Sequence, residues 1–334
     1  MSCPALLNGV LLNLERSLFQ DIYADVYGID ADVWRRDLDE MCQAGLKKVM
    51  LFTGIPFAVK TPGKASNDML DFIYRECALR GMEVIIATGG HPNWCVAPLV
   101  VADEARLVKK YVDLLYDRYG QYTSFAGWYI DYEFCLFYGD LGRSLREVYK
   151  ATVEICKEKS PNLPVVASPF FNPPTEGFIM NVGRKTPQDY YDYWSDMISY
   201  SHFDILSLQD NGGQHLSFFT AKDTEPYIAA YAKACKENGC SFWGNVETGE
   251  LEVASAQDFF QRFGPNGNCN TPECAKYWRS VPIERLKTKL ELMSKYSECN
   301  ISWGYQGFYC PRRNDKTKKA YQDYLEYRQR YIQM

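Results

Sequence analysis

The sequence predicts a (β/α)8 TIM barrel, an α/β fold in which eight parallel strands alternate with helices, as a single domain over residues 1–334. Eight short apolar runs alternate along the chain with segments in which apolar residues recur at helical spacing. The composition does not change abruptly anywhere, and no linker, internal repeat or low-complexity tail interrupts this alternation. A length of 334 residues suits one such barrel with insertions.

The predicted strands are rich in β-branched and aromatic residues, as expected for strands that are buried on both faces. In chain order they are Leu6–Leu14, Lys48–Thr53, Glu83–Thr88, Phe125–Ile130, Pro164–Ser168, Phe203–Leu208, Ser241–Val246 and Ile301–Tyr305. A doubly wound open sheet is the alternative fold. It is disfavoured because Leu14, Glu15 and Arg16 follow the first strand, where that fold needs a glycine-rich phosphate-binding turn.

The predicted helices have recognisable end signals. Gly45 and Gly81 end the first two helices, and Thr186 followed by Pro187 is typical of an N-cap and a first helical position. A long irregular loop insertion is expected at about 264–280. The helices are predicted at Asp32–Gly45, Asn67–Arg80, Asp103–Tyr119, Ser144–Lys159, Thr186–Ser199, Glu225–Asn238, Ile283–Tyr296 and Lys316–Ile332.

Charge and aromatic content narrow the class of partner. The chain has 37 lysine and arginine residues against 42 aspartate and glutamate residues, a net charge of −5, so no basic field favours nucleic acid. Aromatic residues make up 15% of the chain, and those at predicted strand ends suit flat ligands such as sugar rings. A carbohydrate is therefore the expected partner. We find no apolar run of about 18 residues that could span a membrane and no signal-peptide pattern, so we expect a cytoplasmic protein.

The cysteine pattern predicts buried thiols and no metal or cofactor site. The chain has 12 cysteines without paired metal-ligand spacing and only 3 histidines, which disfavours zinc. Four of the cysteines lie at apolar positions of predicted helices, which favours a reducing compartment; they are Cys42, Cys77, Cys156 and Cys235. Cys269 and Cys274, close together in the loop insertion, are the one plausible disulfide.

The C-terminal ends of the strands are where this fold places its functional side chains. No lysine lies at a strand tip, which disfavours Schiff-base chemistry, and the few histidines disfavour a metal-dependent amidohydrolase. These ends supply carboxylates, amides and aromatic rings instead. The candidate residues are Glu15, His91, Trp94, Asp131, Tyr132, Glu133, Asn172, Gln209, Asp210, Asn245, Glu247, Glu250, Tyr305 and Gln306.

Two of these carboxylates are the candidate catalytic pair. Glu133 ends the fourth predicted strand and Glu247 ends the seventh, so their tips face each other across the barrel mouth. Glycoside hydrolysis requires such a pair, one carboxyl group as proton donor and the other as nucleophile or base. Two alternatives remain: Glu133 could form only a salt bridge at the rim, and Glu250 could replace Glu247.

Three stretches carry a resemblance to known families: G-W-Y-I-D-Y-E at Gly127–Glu133, L-Q-D-N-G-G at Leu208–Gly213 and W-G-N-V-E-T at Trp243–Thr248. The glutamates at the fourth and seventh strands resemble those of the clan A retaining glycoside hydrolases. The stretches themselves look more specifically like a bacterial, glycosidase-like TIM-barrel family called domain of unknown function 4434. The resemblance implies that Glu133 is the general acid/base and Glu247 the nucleophile.

One position departs from the clan A pattern. Tyr132 stands where those enzymes usually have the asparagine that binds the sugar 2-hydroxyl, so this resemblance implies that another amide takes that role. Asn172, Gln209 and Asn245 are the candidates.

The remaining candidates have two interpretations each. Asp131 points the same way along its strand as Glu133, so it either tunes the acid or contacts substrate. Asp210 is either a substrate ligand or the turn residue that D-N-G-G favours. Stacking on a sugar is expected of Trp94, Tyr132, Phe134, Tyr305 and Tyr309. A hydroxyl contact is expected of His91, and Trp128, Trp243 and Trp303 are expected to fill the barrel.

The sequence therefore predicts a retaining glycoside hydrolase that acts on a small glycan or glycoside. A non-catalytic carbohydrate-binding barrel would use the same aromatic residues with carboxylates that only accept hydrogen bonds. A metal-dependent, carboxylate-rich lyase or isomerase is the third possibility.

Overall fold

The computed structural model describes residues 3–13, 31–52, 69–91, 98–172, 185–213, 217–264 and 272–333. The predicted strands and helices follow one another in the predicted order, and further elements lie between Gly249 and Ser280. The strands are β1 (Gly9–Asn13), β2 (Lys48–Phe52), β3 (Glu83–Ala87), β4 (Phe125–Ile130), β5 (Val165–Ala167), β6 (Ile205–Gln209), β7 (Ser241–Asn245), β8 (Gly249–Leu251), β9 (Trp278–Ser280) and β10 (Cys299–Trp303).

The described helices cover the outside of these strands. They are α1 (Ala31–Gln43), α2 (Met69–Leu79), α3 (Val101–Tyr119), α4 (Gly139–Lys159), α5 (Pro187–Ser201), α6 (Ala221–Glu237), α7 (Ala256–Phe263), α8 (Ile283–Ser294) and α9 (Asp315–Gln333). A 3₁₀ helix covers Pro272–Tyr277 and a π-helical turn covers Tyr305–Tyr309. None of the helices within these residues is long and apolar enough to cross a membrane.

Eight of the strands close into a parallel barrel, which confirms the predicted fold. The strand order is β1-β10-β7-β6-β5-β4-β3-β2, and β1 pairs with both β2 and β10. Gly9 on β1 is opposite Lys48 on one side and Ile301 on the other. Closure brings the C-terminal ends of all eight strands to one mouth.

Side chains alternate across each strand and so divide the core into two layers. The barrel interior is filled by residues such as Leu11, Met50, Tyr129 and Ile301. A larger layer between barrel and helices contains the alternate residues, among them Trp128 on β4. This alternation determines which residues beyond each strand end face the mouth.

The region after β7 contains more regular structure than predicted. β8 pairs in antiparallel fashion with β9, and the 3₁₀ helix precedes β9, so the expectation of an irregular loop through residue 280 was wrong for Pro272–Ser280. Short strands of three residues carry too little periodicity to be recognised in the sequence. Of the predicted disulfide pair, Cys269 lies outside the described residues.

Helix starts were predicted with uneven success. Thr186 does cap α5, and its hydroxyl and the Asp189 carboxylate form a capping box. α6 begins at Ala221 rather than Glu225, because the N–H of Thr220 donates to Asp223 at 2.8 Å and starts the helix a turn earlier.

Burial of three of the four predicted thiols is confirmed, at Cys77, Cys156 and Cys235, whereas Cys42 is only partly buried.

An aromatic cluster in the outer layer supports the chain just beyond β4. Trp194 on α5 packs against Phe134, Tyr149 and Tyr231, with ring centroids 5.3, 6.4 and 5.8 Å away. Its indole Nε1 donates to the carbonyl of Cys135 at 3.0 Å. The side chain therefore contributes both apolar burial and a hydrogen bond to a backbone group.

We expect Trp194→Ala to lower the free energy of unfolding by about 3–5 kcal/mol, because it leaves a large cavity and an unpaired carbonyl. Leu79→Ala is the control, since Leu79 is exposed on α2, and it should change stability by less than about 0.5 kcal/mol. Urea unfolding measures both. Equal midpoints for the two variants would contradict the assigned role of Trp194.

Candidate active site

Glu133 lies just beyond β4 on a backbone held from outside the barrel. The hydroxyl of Tyr149 donates to the carbonyl of Tyr132 at 2.7 Å, and the indole of Trp194 donates to the carbonyl of Cys135 at 3.0 Å. These two contacts bracket Glu133 along the chain. Its backbone position thus depends on residues of α4 and α5.

The Glu133 carboxyl group is partly buried and hydrogen-bonded by two side chains. The hydroxyl of Tyr129, in the barrel interior, donates to Oε1, and the amide of Gln209 also hydrogen-bonds the carboxyl group. Gln209 is itself oriented, because its Nε2 donates to the carbonyl of Ser168 at 2.8 Å. Burial raises the pKa of Glu133 above its usual value, and both hydrogen bonds oppose this shift.

Asp131 is two residues before Glu133, so the alternation of side chains along the strand assigns both to the same face. Burial raises the pKa of Asp131 to about 7, and the nearby carboxylates of Glu133 and Glu104 add to the shift. Its Oδ1 is buried without a hydrogen-bonding partner among the described residues. Two acids with raised pKa values therefore follow β4 on its inward face.

Tyr132 cannot stack on a ligand, which corrects the expectation from the sequence. It lies between Asp131 and Glu133, so it points outward, and it is fully buried in the outer core. Its hydroxyl donates to the Glu104 carboxylate, which also accepts the backbone N–H of His91 at 3.0 Å. Tyr132 therefore supports the chain after β3, and His91 itself is exposed.

Glu247 follows β7 and is only 4% exposed. Its side chain is at an inward position, because residues two apart share a face and Trp243, four residues earlier, points into the barrel. The N–H of Gly213 donates to Oε2 at 2.5 Å. The carboxylate is thus fixed by a backbone donor from the turn after β6.

Asp210 begins that turn, and its contacts favour the turn interpretation over substrate binding. Its Oδ1 accepts the N–H of Gly212 at 3.0 Å and the N–H of Glu247 at 3.3 Å. Its other oxygen lies 3.0 Å from Nζ of Lys289 on α8. Lys289 is not among the residues predicted from sequence, because it is remote in the chain and lies on a helix.

The three candidate amides have different surroundings. Asn245 is 1% exposed, and its Oδ1 accepts the N–H of Trp303 at 2.9 Å, so it links β7 to β10 rather than meeting a ligand. Asn172 is buried and accepts a hydrogen bond from Nδ2 of Asn211 at 3.0 Å. Gln209, which is partly exposed and contacts Glu133, is the best placed of the three.

Glu250 and Tyr305 do not fit the roles that the sequence suggested. Glu250 is 2% exposed and pairs with Arg279 at 2.8 Å and Arg285 at 2.9 Å, so its charge is satisfied within the protein. Tyr305 is buried in the outer core, as are Phe134 and Tyr309, so the expectation that these three rings stack on a sugar was wrong. Gln306 is buried in the same π-helical turn. The remaining candidates, Glu15 and Trp94, lie outside the described residues.

Trp303 was expected from the sequence to fill the barrel, but it is partly exposed. It ends β10 on the same face as the inward-facing Ile301, and its ring lies 5.9 Å from that of Trp278. It could have been found by extending the two-residue alternation of β10 to its end. Trp243 does fill the barrel interior as expected, whereas Trp128 lies in the outer layer.

The described residues line at least two cavities and contain no metal-binding cluster. No set of three or more His, Cys, Asp and Glu side chains among them is arranged to hold a metal ion. A cavity of about 470 Å³ lies between α6 and α8, and a second of about 470 Å³ lies beside β9 and α9. The first of these touches Asp210 and Lys289.

The eight barrel strands and the helices between them define a (β/α)8 TIM barrel. The sequence model of a domain of unknown function, DUF4434, matches residues 14–315. The chain therefore belongs to the DUF4434 family. A search of curated proteins finds no match.

Solved structures with a similar fold include several glycoside hydrolases. A candidate α-L-fucosidase from Bacteroides thetaiotaomicron VPI-5482 superposes with a TM-score of 0.71 at 18% identity, covering 98% of this chain and 93% of that one. An endo-1,4-β-D-mannanase from Thermotoga petrophila RKU-1 gives 0.55 at 16%, covering 89% and 88%. A β-galactosidase from Halorubrum lacusprofundi gives 0.61 at 12%, covering 98% and 58%. At these identities the likeness shows the fold.

The raised pKa of Asp131 makes stability depend on pH. Because its pKa is about 7 in the folded state and about 4 in an unfolded chain, its favourable contribution is complete below pH 4 and is lost as the pH rises through 7. Asp131→Asn removes this dependence. The free energy of unfolding of the variant, relative to the parent, should therefore be higher at pH 8 than at pH 5.

Urea unfolding at both pH values measures this difference. Asp192→Asn, at an exposed position on α5, is the control and should give the same difference from the parent at pH 5 and pH 8. A pH-independent difference for Asp131→Asn would contradict the assignment.

Proposed function

We propose that this protein is a retaining glycoside hydrolase in which Glu133 is the general acid/base and Glu247 the nucleophile. The observation that carries the proposal is the contrast between two inward carboxyl groups after non-adjacent strands. Burial raises the pKa of Glu133, which suits a proton donor. Glu247 accepts a backbone N–H at 2.5 Å, which favours the negative charge that a nucleophile needs.

The reaction would proceed in two displacements. In the first, a Glu247 oxygen bonds to the anomeric carbon as the glycosidic C–O bond breaks, and Glu133 transfers its proton to the departing oxygen. In the second, Glu133 takes a proton from water, the water oxygen bonds to the anomeric carbon and the Glu247 carboxylate leaves. The configuration at the anomeric carbon is retained.

The surroundings of Glu247 favour a nucleophile over a base that activates water. An inverting enzyme must hold a water molecule between base and sugar, with carboxyl groups about 6.5–9.5 Å apart. Glu247 is 4% exposed and its Oε2 accepts the N–H of Gly213, so little of the carboxylate is open to a water molecule. We therefore favour direct attack.

The ligand we propose is a small glycan or glycoside bound at the barrel mouth. Trp303 offers a partly exposed ring at an inward position, which suits the apolar face of a sugar. Gln209 is close enough to Glu133 for its amide to hydrogen-bond a sugar hydroxyl next to the reacting bond. Asp131, with an unpartnered oxygen on the same strand face, would accept a hydrogen bond from another hydroxyl.

Glu247→Gln should lower kcat on aryl glycosides by at least about 10³-fold, because the amide is a poor nucleophile. Glu133→Gln should lower kcat/KM about 10²–10⁴-fold, and less for phenol leaving groups that need no proton. The control is Glu252→Gln, an exposed carboxylate close to Glu247 in the chain, which should keep the parent rate. Activity of Glu247→Gln within a few-fold of the parent would contradict the assignment.

Tyr129→Phe should move the basic limb of the pH profile of kcat/KM to higher pH. The tyrosine donates to the Glu133 carboxylate and so lowers the pKa of that group, and its loss raises the pKa. Asp131 titrates nearby, so the profile is compared in the Asp131→Asn background as well. Tyr122→Phe, which removes a hydroxyl that donates to Asp71, is the control. A shift to lower pH would contradict the assignment.

A further inference from the structure

We infer that Asp210 and Lys289 form a positioning pair that holds the backbone of Glu247 in place for reaction. This inference rests on the proposed function, since it concerns the residue proposed as nucleophile. Neither residue touches the reacting atoms in the proposal. Both act through the backbone of Glu247.

The pair binds both polar groups of Glu247's own backbone. Asp210 Oδ1 accepts the N–H of Glu247 at 3.3 Å, and Lys289 Nζ donates to the carbonyl of Glu247 at 2.5 Å. The two charged groups also contact each other, with Nζ 3.0 Å from Asp210 Oδ2. One ion pair therefore connects the end of β6, the end of β7 and α8.

The same turn also fixes the carboxylate. Asp210 accepts the N–H of Gly212 at 3.0 Å, and the next residue, Gly213, donates to Glu247 Oε2 at 2.5 Å. A Cβ at position 213 would lie 2.0 Å from the carbonyl oxygen of Gly249 and 2.8 Å from Glu247 Oε2. Glycine thus allows the turn to approach closely enough for its N–H to reach the carboxylate.

Burial of the pair suggests a role beyond stability. The Asp210 and Lys289 side chains are 8% and 11% exposed, and removing two charges from water costs as much as their attraction returns in many proteins. An apolar pair of similar size could fill the same space. It could not bind the backbone N–H and C=O of one residue, which is what these two side chains do.

The cavity between α6 and α8 makes the pair accessible to small solutes. It has a volume of about 470 Å³, and Asp210 and Lys289 form part of its wall beside Phe219, Ile228 and Leu292. A cation of a few atoms could therefore enter if the lysine side chain were shortened. This permits a direct test of whether the ammonium group itself is required.

The test is chemical rescue of Lys289→Ala on an aryl glycoside. We expect kcat to fall about 100-fold, because a displacement of about 1 Å in a reacting group can cost that much, while KM changes far less. n-Propylammonium replaces the deleted carbons and the charge, so it should restore at least a tenth of the parent kcat. n-Propanol, of the same length without the charge, should restore nothing.

Two further variants keep the result interpretable. Lys287→Ala removes a lysine that pairs with Glu284 at 2.6 Å on the same helix, and it should have parent kcat with no response to n-propylammonium. Lys289→Arg keeps the charge and should retain more activity than Lys289→Ala. Near-UV circular dichroism establishes whether each variant is folded. If Lys289→Ala is not folded, the kcat of Lys289→Arg is compared with that of the parent instead.

Crystal structures of the parent and of Lys289→Ala separate this inference from the proposed function. The inference requires that the Glu247 carboxylate leaves the Gly213 N–H in the variant, whatever the protein catalyses. If the parent hydrolyses no glycoside, the proposed function fails, and the structures still decide whether the pair positions Glu247. An unmoved Glu247, or parent kcat in Lys289→Ala, would overturn the inference.

Discussion

The alternation of side chains along each parallel strand is the constraint on which the site depends. Since the barrel is closed, each residue beyond a strand end faces either the mouth or the helices. Asp131 and Glu133 face the mouth, and Tyr132 between them is directed into the outer core. A one-residue shift of register would exchange these positions and replace two acids by a phenol. Packing of the outer layer, where the aromatic cluster around Trp194 binds the backbone after β4, opposes such a shift.

The two proposed catalytic carboxyl groups are held by different physical means. Glu133 receives hydrogen bonds from side chains, those of Tyr129 and Gln209, in surroundings whose low polarity raises its pKa. The carboxylate of Glu247 accepts a backbone N–H from Gly213, and the backbone N–H and C=O of Glu247 are bound by the buried pair of Asp210 and Lys289. Different surroundings are a general way of giving two chemically identical carboxyl groups different roles.

The fold could be predicted from sequence because it depends on local patterns repeated eight times. Apolar runs and helix-capping residues locate the barrel strands to within a few residues, and Thr186 caps α5 as expected. The inward direction of Asp131, Glu133 and Glu247 also follows from alternation. Contacts between remote segments do not follow. Lys289 is 42 residues from Glu247, and only the packing of α8 against the barrel brings them together. Glu250 is an alternative to Glu247 on sequence alone, because only the folded chain brings Arg279 on β9 and Arg285 on α8 beside it.

The identity of the nucleophile is tested most directly by mass spectrometry after reaction with 2-deoxy-2-fluoro glycosyl fluorides. The fluorine slows both displacements and the fluoride leaves without a proton, so the covalent glycosyl-enzyme accumulates. The account predicts one adduct per chain, on the peptide that contains Glu247. Hydrolysis of glycosides without an adduct, or an adduct on Glu250 or Glu133 instead, would contradict it.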